Sequence, residues 1–511
     1  MAQPVRPGPP QPSAAQETPA THRSRDAPPR PLTRSPTDTV ATAPLTRRRA
    51  ALRPGATLAT TATATAVALM NYTSPMTTVP DVSAALATPV SDRAWLLNGA
   101  PLGLAVFLLI VGSLADDYGR RRLFLIGTLA LGITTGLGAL ATTTVAFTLA
   151  RVAQGAASAA ILAASLGLLV GAFPAGAARI RATGIWGAFV SAGIALGPLL
   201  AGSLGSVDWR LPYAVLALAA LLTGMFAFRT LEESRAPRGG RPDLAGAAAL
   251  GLAMTALLTA LTLGRDGWLR APIGLLLLAA LALTAGFVAV ERRAAAPLID
   301  LSLLRSRLFL ASSAGGLFTG LSVIGLFSYL PTLLQQALGM SALGTAWLFL
   351  LWSGTSFVVA LQARRLAGRV VARHQLAVGF VLHAVAVLSL LGTLDTAGTA
   401  HIGASLWLRL LIALIVSGIG SGLLNAALPR LAVESVPPER AAMGSGANNT
   451  ARYIGSSAGV ALTIAIAATG SGANGALLLS VALALVATVS VLLLRERPWP
   501  PARPPARPPR C

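Results

Sequence analysis

Between residues 57 and 494 the chain is a succession of apolar runs, most of them about twenty residues long, joined by short polar connections. In a helix that length spans the hydrocarbon core of a bilayer, and this pattern constrains the fold more than any other feature of the sequence. The runs show no alternation with period two, which excludes an outer-membrane-type barrel. In lipid the backbone has no water to bond, so an open sheet or a long irregular segment is excluded as well. The expected fold class is an all-α polytopic membrane protein. Fourteen stretches qualify as spans: 58–78, 94–114, 123–141, 145–171, 184–204, 211–228, 244–263, 271–290, 309–330, 343–361, 376–394, 403–427, 443–468 and 474–494.

A formal net charge of +22 invites a nucleic-acid reading, but its placement argues against one. Every basic residue is arginine, a choice that reflects a GC-rich genome. With the N-terminus inside the cell, 33 of the 40 arginines fall in the tails and the inner connections. Four (Arg93, Arg210, Arg265 and Arg270) fall outside, and Arg151, Arg409 and Arg452 fall within spans. This is the positive-inside pattern, and it predicts a multi-pass protein of a bacterial cytoplasmic membrane with both termini cytoplasmic. Residues 1–56 and 495–511 read as disordered basic tails rich in proline and arginine, with "TRRRAALR" as a juxtamembrane patch that touches anionic lipid. The single cysteine, Cys511, excludes a disulfide framework. No nucleophile–base pair, metal-ligand cluster or phosphate-binding lysine appears, so neither an enzyme, a metal nor a bound cofactor is expected.

Against this background one connection is dense in charge: "GSLADDYGRRR", residues 112–122, after the second span. Gly112 permits close packing and Gly119 a tight turn. Asp116 can pair with an arginine and accept from a helix start. The stretch resembles the motif A loop of the major facilitator superfamily at Gly112, Leu114, Ala115, Asp116, Gly119 and Arg120. In that family the resemblance implies a charged latch that holds two helical bundles closed on the cytoplasmic side. "FTLARVAQGAASAA" resembles motif B at Arg151, Gln154 and Gly155, which implies a role in proton coupling or in binding substrate charge. "GIALGPLLAG" resembles motif C at Gly193, Gly197, Pro198 and Gly202, a hinge-and-seal element of antiporters.

Further similarity runs along the connections near 243 and 296, and places the chain with the fourteen-helix drug:proton antiporters. That branch implies two six-helix bundles (57–228 and 309–494) with a linker and inserted helix pair at 229–308. "QARRLAGRV", with Gly368, is a weaker echo of motif A.

Two departures stand out. Asp117 replaces a usual basic residue, and Asn71 replaces the family's acid in the first span. Asn71 cannot titrate, and no Asp or Glu lies deep in any span; Asp81 and Asp395 sit near outer ends. His383 is a substitute proton carrier or a histidine satisfied by its neighbours. Arg409 pairs with Asp395 or faces the cavity, and Arg452 snorkels toward the inner surface. Asn71, Asn98, His383, Arg409 and Asn425 are the candidate cavity residues. The expected function is export of small amphipathic or drug-like molecules by a monomer working by alternating access, driven by the proton gradient. An uncoupled or uptake facilitator, and a transport-dead sensor or scaffold, are the alternatives. The expected partners are the small-molecule substrate and the lipid bilayer, with no nucleic acid.

Overall fold

Alanine, leucine and glycine dominate the apolar runs, and in the computed structural model every run is helical. The structure describes residues 43–89, 92–235, 243–264, 267–294, 297, 301–363, 369–394, 403–467 and 472–494. Among them there is no strand. The first half contributes α1 (Ala43–Thr73), α2 (Pro75–Ala85), α3 (Arg93–Tyr118), α4 (Arg120–Ala139), α5 (Thr144–Ala172), α6 (Ala177–Gly205) and α7 (Arg210–Thr230). A pair, α8 (Leu244–Leu263) and α9 (Ala271–Glu291), follows. The second half contributes α10 (Arg307–Phe318), α11 (Gly325–Leu338), α12 (Ala342–Ala363), α13 (Ala372–Leu388), α14 (Ala404–Glu434), α15 (Ala441–Ala467) and α16 (Gly472–Leu493). A π-helical turn, Thr319–Ile324, joins α10 to α11 without a break.

α1 and α2 together cover the first expected stretch, and α10 and α11 the ninth. Eleven of the described helices are long and apolar enough to cross a membrane. The first path is divided because Pro75 lacks the N–H that would continue α1. There the Ser74 hydroxyl donates to the Met70 carbonyl at 2.7 Å. α15 is polar for a spanning helix, and its buried residues include Ser445, Asn448, Asn449 and Thr450. Part of the segment 1–56 read as a tail is helical here, since α1 begins at Ala43. Its alanines, leucines and arginines are strong helix formers and extend the helix back through "TRRRAALR". Residues 1–42 and 495–511, Gly368 and Asp395 lie outside the described residues.

Side-chain oxygens start several helices. Thr143 accepts from the Ala146 N–H at 3.2 Å and Asp243 from the Gly246 N–H at 2.7 Å. Within the spans many threonines return their hydroxyl protons to carbonyls one turn back, as Thr128 does to Phe124 O at 3.0 Å.

Each half has its own apolar core. One centres on Leu104, Phe124, Ile161 and Leu166, the other on Leu326, Leu376, Phe380 and Leu424. The halves meet where α15 packs on α3 and α5, and where α12 and α14 pack on α6. The α8–α9 pair lies beside the first of these seams, with Leu250 and Phe287 in one cluster with Ile110 of α3 and Met443 of α15.

Gly119 separates α3 from α4 at φ +123°, a conformation that side chains rarely adopt. A Cβ there would also come within 2.7 Å of the Glu233 carboxylate. Gly119→Ala is therefore expected to destabilise the protein by about 1–3 kcal/mol, read as a lowered melting temperature in detergent. Gly184→Ala is the control, since a Cβ at that helical glycine meets nothing within 4 Å, and it should leave melting unchanged or raise it slightly.

Candidate functional site

The motif A residues gather at the seam between α3 and α15. Asp116 is fully buried and ion-paired with Arg120 at 2.8 Å. It also accepts from the Met443 N–H at 2.9 Å and the Ala442 N–H at 3.3 Å, in the first turn of α15. A helix N-terminus concentrates positive partial charge, so a carboxylate there is stabilised twice, by the dipole and by the arginine. The Arg120 guanidinium donates to Gly167 O on α5 at 3.0 Å and to Pro438 O and Glu439 O, just before α15, at 2.9 and 3.0 Å. Gly112 makes the approach possible, because a Cβ there would sit 2.6 Å from Ala442 O. One carboxylate–guanidinium pair thus ties the first half of the chain to the second.

Two parts of this assembly escaped the sequence reading. Asp117, noted only as a departure from the family pattern, accepts from Arg440 across the same seam at 2.8 Å. Glu233 accepts from the Arg121 and Arg122 N–H groups at 3.1 and 3.2 Å and so caps α4. An acid pair in the otherwise basic connection "LEESR" was the available signal for Glu233.

The motif B residues form a second buried node. Arg151 is fully buried on α5. It donates to Asn71 Oδ1 at 2.8 Å, Asn71 O at 2.9 Å, Gln154 Oε1 at 2.7 Å and Tyr72 O at 3.2 Å. Gln154 is held by its own bond to Thr134 O, and Asn71 donates to Thr135 Oγ1 at 2.7 Å. All four acceptors are neutral, so a buried guanidinium is solvated by amides and carbonyls and has no counter-charge among the described residues. Asn71, standing where the family has an acid, is one of the ligands of Arg151. Gly155 lets α5 press against the Ala100 carbonyl of α3.

Two of the three motif C glycines bring α6 onto α1. A Cβ on Gly193 would come 2.5 Å from Ala66 O, and one on Gly197 would run into Thr73 Oγ1 and Met70 O. Pro198 lies inside α6, and its carbonyl accepts from Thr77 of α2 at 3.3 Å. Gly202 differs: a Cβ there would make only an ordinary 3.9 Å contact with Leu343, so close packing does not require it.

The central cavity lies between the halves, walled by Tyr72, Met76, Phe327, Trp352, Arg452 and Tyr453 among others. Phe327 and Trp352 stack at 4.2 Å, and Tyr72 meets Tyr453 edge-on at 5.6 Å across the two halves. The open volume is about 30 Å³, room for roughly one water.

None of the five expected cavity residues lies in this wall. Asn71 is committed to Arg151. Asn98 is half-buried on α3, next to Gly99, which abuts the Arg151 Cβ. Arg409 is exposed near the start of α14, where the helix side facing out carries it away from the interior. His383 is fully buried behind the wall. There Ser480 donates to Ser322 O at 2.9 Å, so its oxygen accepts from His383 Nε2–H at 3.1 Å. Nδ1 accepts from Ser417, whose oxygen takes the Trp352 Nε1–H at 3.1 Å. Both ring nitrogens are satisfied in one neutral tautomer, and the chain of bonds fixes the Trp352 ring in the wall.

Asn425 is buried and joins three helices. It donates to Ser191 Oγ on α6 at 3.0 Å and to Ser356 Oγ on α12 at 3.4 Å, and it accepts from Arg452 on α15 at 3.2 Å. Arg452, expected to snorkel, instead lines the cavity. The signal was present as a polar stripe at one-turn spacing, Asn448, Arg452 and Ser456, on an otherwise spanning helix. Among the described residues there is no group of His, Cys, Asp and Glu able to hold a metal ion.

The sequence matches the family model described as Major Facilitator Superfamily over residues 61–460 and again over 396–510. It is 33% identical to the multidrug resistance protein Stp of Mycobacterium tuberculosis over 392 residues, which cover 75% of this chain and 70% of Stp. It is 30% identical over 417 residues to the tetracenomycin C resistance and export protein of Streptomyces glaucescens, covering 80% of this chain and 75% of that protein. The structure superposes on that of the human organic anion transporter MFSD10 with a TM-score of 0.61 at 18% identity, covering 86% of this chain and 99% of the other, a likeness of fold. With two helical halves tied at one rim and a cavity between them, the chain belongs to the major facilitator superfamily.

Proposed function

We propose that this protein exports small amphipathic molecules across a bacterial cytoplasmic membrane by alternating access. The observation that carries the reading is the central cavity, built from α1, α2 and α6 of one half and from the π-helical turn, α11, α12 and α15 of the other. A site shared between two halves is exposed to one side or the other as they rock. Its walls are aromatic and aliphatic with a few polar groups, which suits drug-like molecules better than sugars. The names of the relatives, multidrug resistance and antibiotic export proteins, support the same class of cargo.

In this reading residues 57–228 and 309–494 are the two bundles, 229–308 carry the inserted pair, and fourteen crossings leave both termini cytoplasmic. Asp116 and Arg120 close the cytoplasmic rim, and the protein works as a monomer without a bound cofactor. Export is driven by the proton gradient, as is typical of the family.

A second reading, movement without proton coupling, is favoured by one observation. The buried carboxylates among the described residues are Asp116 and Glu291, and neither lines the cavity. Sealed inverted vesicles separate the two. Imposing an inside-acid pH gradient is expected to accelerate uptake of a fluorescent amphipath several-fold over the same vesicles with a proton ionophore. Equal rates would discard coupling and leave export intact, whereas no uptake of any compound in a broad panel would discard export.

A further inference from the structure

The cavity holds a group that the export reading does not use. Arg452 lies in its wall and makes one hydrogen bond among the described residues, to Asn425 Oδ1 at 3.2 Å. That acceptor is neutral, and no described carboxylate is within ion-pair distance of the guanidinium. Asn425 is itself pinned by Ser191 and Ser356, so it fixes the guanidinium without neutralising it. A guanidinium presents five N–H donors in a planar fork, and most of that fork is left for something else.

The surroundings add to the charge. Tyr72, which also lines the cavity, accepts at its backbone carbonyl from Arg151, a fully buried arginine without a counter-charge among the described residues. The wall has no acid among its described residues. Two uncompensated cations beside one low-dielectric space give it a positive potential, which favours an anion and repels a cation. The rest of the wall is flat and aromatic. Phe327 and Trp352 stack in parallel, with Trp352 held in place through Ser417. A planar ring can extend this stack while its acidic group reaches the fork.

We propose that the central cavity is a binding site for amphipathic aromatic anions, with Arg452 receiving the anionic group and the Phe327–Trp352 stack receiving the ring. This rests on the export reading for the cavity's role and deepens it by naming the charge of the cargo. In the form described here the space is closed, with Tyr72 and Tyr453 in contact across the halves, so the ligand binds as these two rings part.

The test uses the full-length purified protein in lipid nanodiscs and three probes of one shape: naphthalene-2-sulfonate, its neutral sulfonamide and a 2-naphthyl trimethylammonium ion. Binding is measured by calorimetry. The sulfonate is expected to bind about tenfold or more tighter than the sulfonamide, and the ammonium ion weakest. Arg452→Gln should collapse the sulfonate-to-sulfonamide ratio to about one, while Arg452→Lys should keep part of it. Size-exclusion profiles and melting curves confirm that each variant is folded. Equal binding of the three probes, absence of binding by all of them, or an Arg452→Gln effect of the same size on each would overturn the proposal. Efflux of neutral amphipaths by cells carrying the wild-type protein reports separately on the export reading, which survives a failure of charge selectivity and falls only if no compound is exported.

Discussion

Asp116→Ala is expected to reduce export by about tenfold or more and to open the rim that Asp116 closes. The substitution leaves Arg120 buried against three carbonyls with no anion, and leaves the first N–H groups of α15 unbonded. Removing one partner of a buried pair costs roughly 3–5 kcal/mol, and here the cost falls on the state in which α3 and α15 touch. Reversing a two-state balance from 99:1 to 1:99 takes about 5.5 kcal/mol, so a loss of roughly 3–5 kcal/mol would lower a 99:1 closed population to between about 40% and about 2%.

The balance can be read directly. With Cys511, the single cysteine, replaced by serine, a cysteine introduced as Ala442→Cys reports on access to the seam. Ala442 is fully buried against α3 and α5, so maleimide labelling of the parent should be slow and that of the Asp116→Ala variant several-fold faster. Asp117→Ala is the comparison. Its pair with Arg440 retains 16% and 23% side-chain exposure, and a partly solvated pair contributes no more than about 1 kcal/mol. Unchanged labelling and export in the Asp116→Ala variant would end the latch assignment.

How much of this was legible depended on whether the signal was local. Helices and their order follow from run length, because lipid thickness sets span length and lipid permits few alternatives. The pairing of Asp116 with Arg120 and the close packing at Gly112 were readable too, since Gly112, Asp116, Gly119 and Arg120 lie within one short connection. What Asp116 would accept from was not, because Ala442 and Met443 lie more than three hundred residues away and nothing local ties them to it.

Polarity alone misplaced the cavity. Asn71, Asn98, His383, Arg409 and Asn425 were singled out as polar groups in apolar spans. Buried polar groups must be satisfied, and several of these found partners behind the wall instead of facing the cavity. The wall fell to aromatic residues, which look like any other apolar positions in a membrane sequence. Arg452 was misread because its distance along α15 suggested the inner surface, whereas the helix carries it against Asn425. Periodicity of the Asn448–Arg452–Ser456 stripe was a better guide than depth.

The second large effect concerns Arg151. Its replacement by alanine removes the donor for four neutral acceptors, of which Asn71 Oδ1 and Gln154 Oε1 are fully buried with it. Each stranded acceptor costs about 1–3 kcal/mol, so melting should fall and export drop by about tenfold or more. Arg151→Lys should rescue little, because one ammonium group cannot reach the acceptors that a planar fork spans.

The more informative change is Asn71→Asp. It keeps the shape of the ligand and its Oδ1 acceptor, and Thr135, which now accepts from Asn71 at 2.7 Å, can turn its hydroxyl to donate. A carboxylate at that position gives Arg151 the counter-charge it lacks, so the folded protein should melt higher than wild type. The same change cancels a positive charge behind Tyr72 and should weaken naphthalene-2-sulfonate binding, though less than Arg452→Gln does, because Arg452 itself remains in the wall. In the anion reading the membrane potential adds to the proton gradient, because an anion leaving a cell whose interior is negative gains about 2.3 kcal/mol per 100 mV. The neutral cage around Arg151 then has a physical purpose: it keeps the cation positioned and charged while leaving its field for the cargo. If Asn71→Asp raised anion binding, or left both melting and binding at wild-type values, the field of Arg151 would not reach the cavity and this account of the missing acid would be wrong.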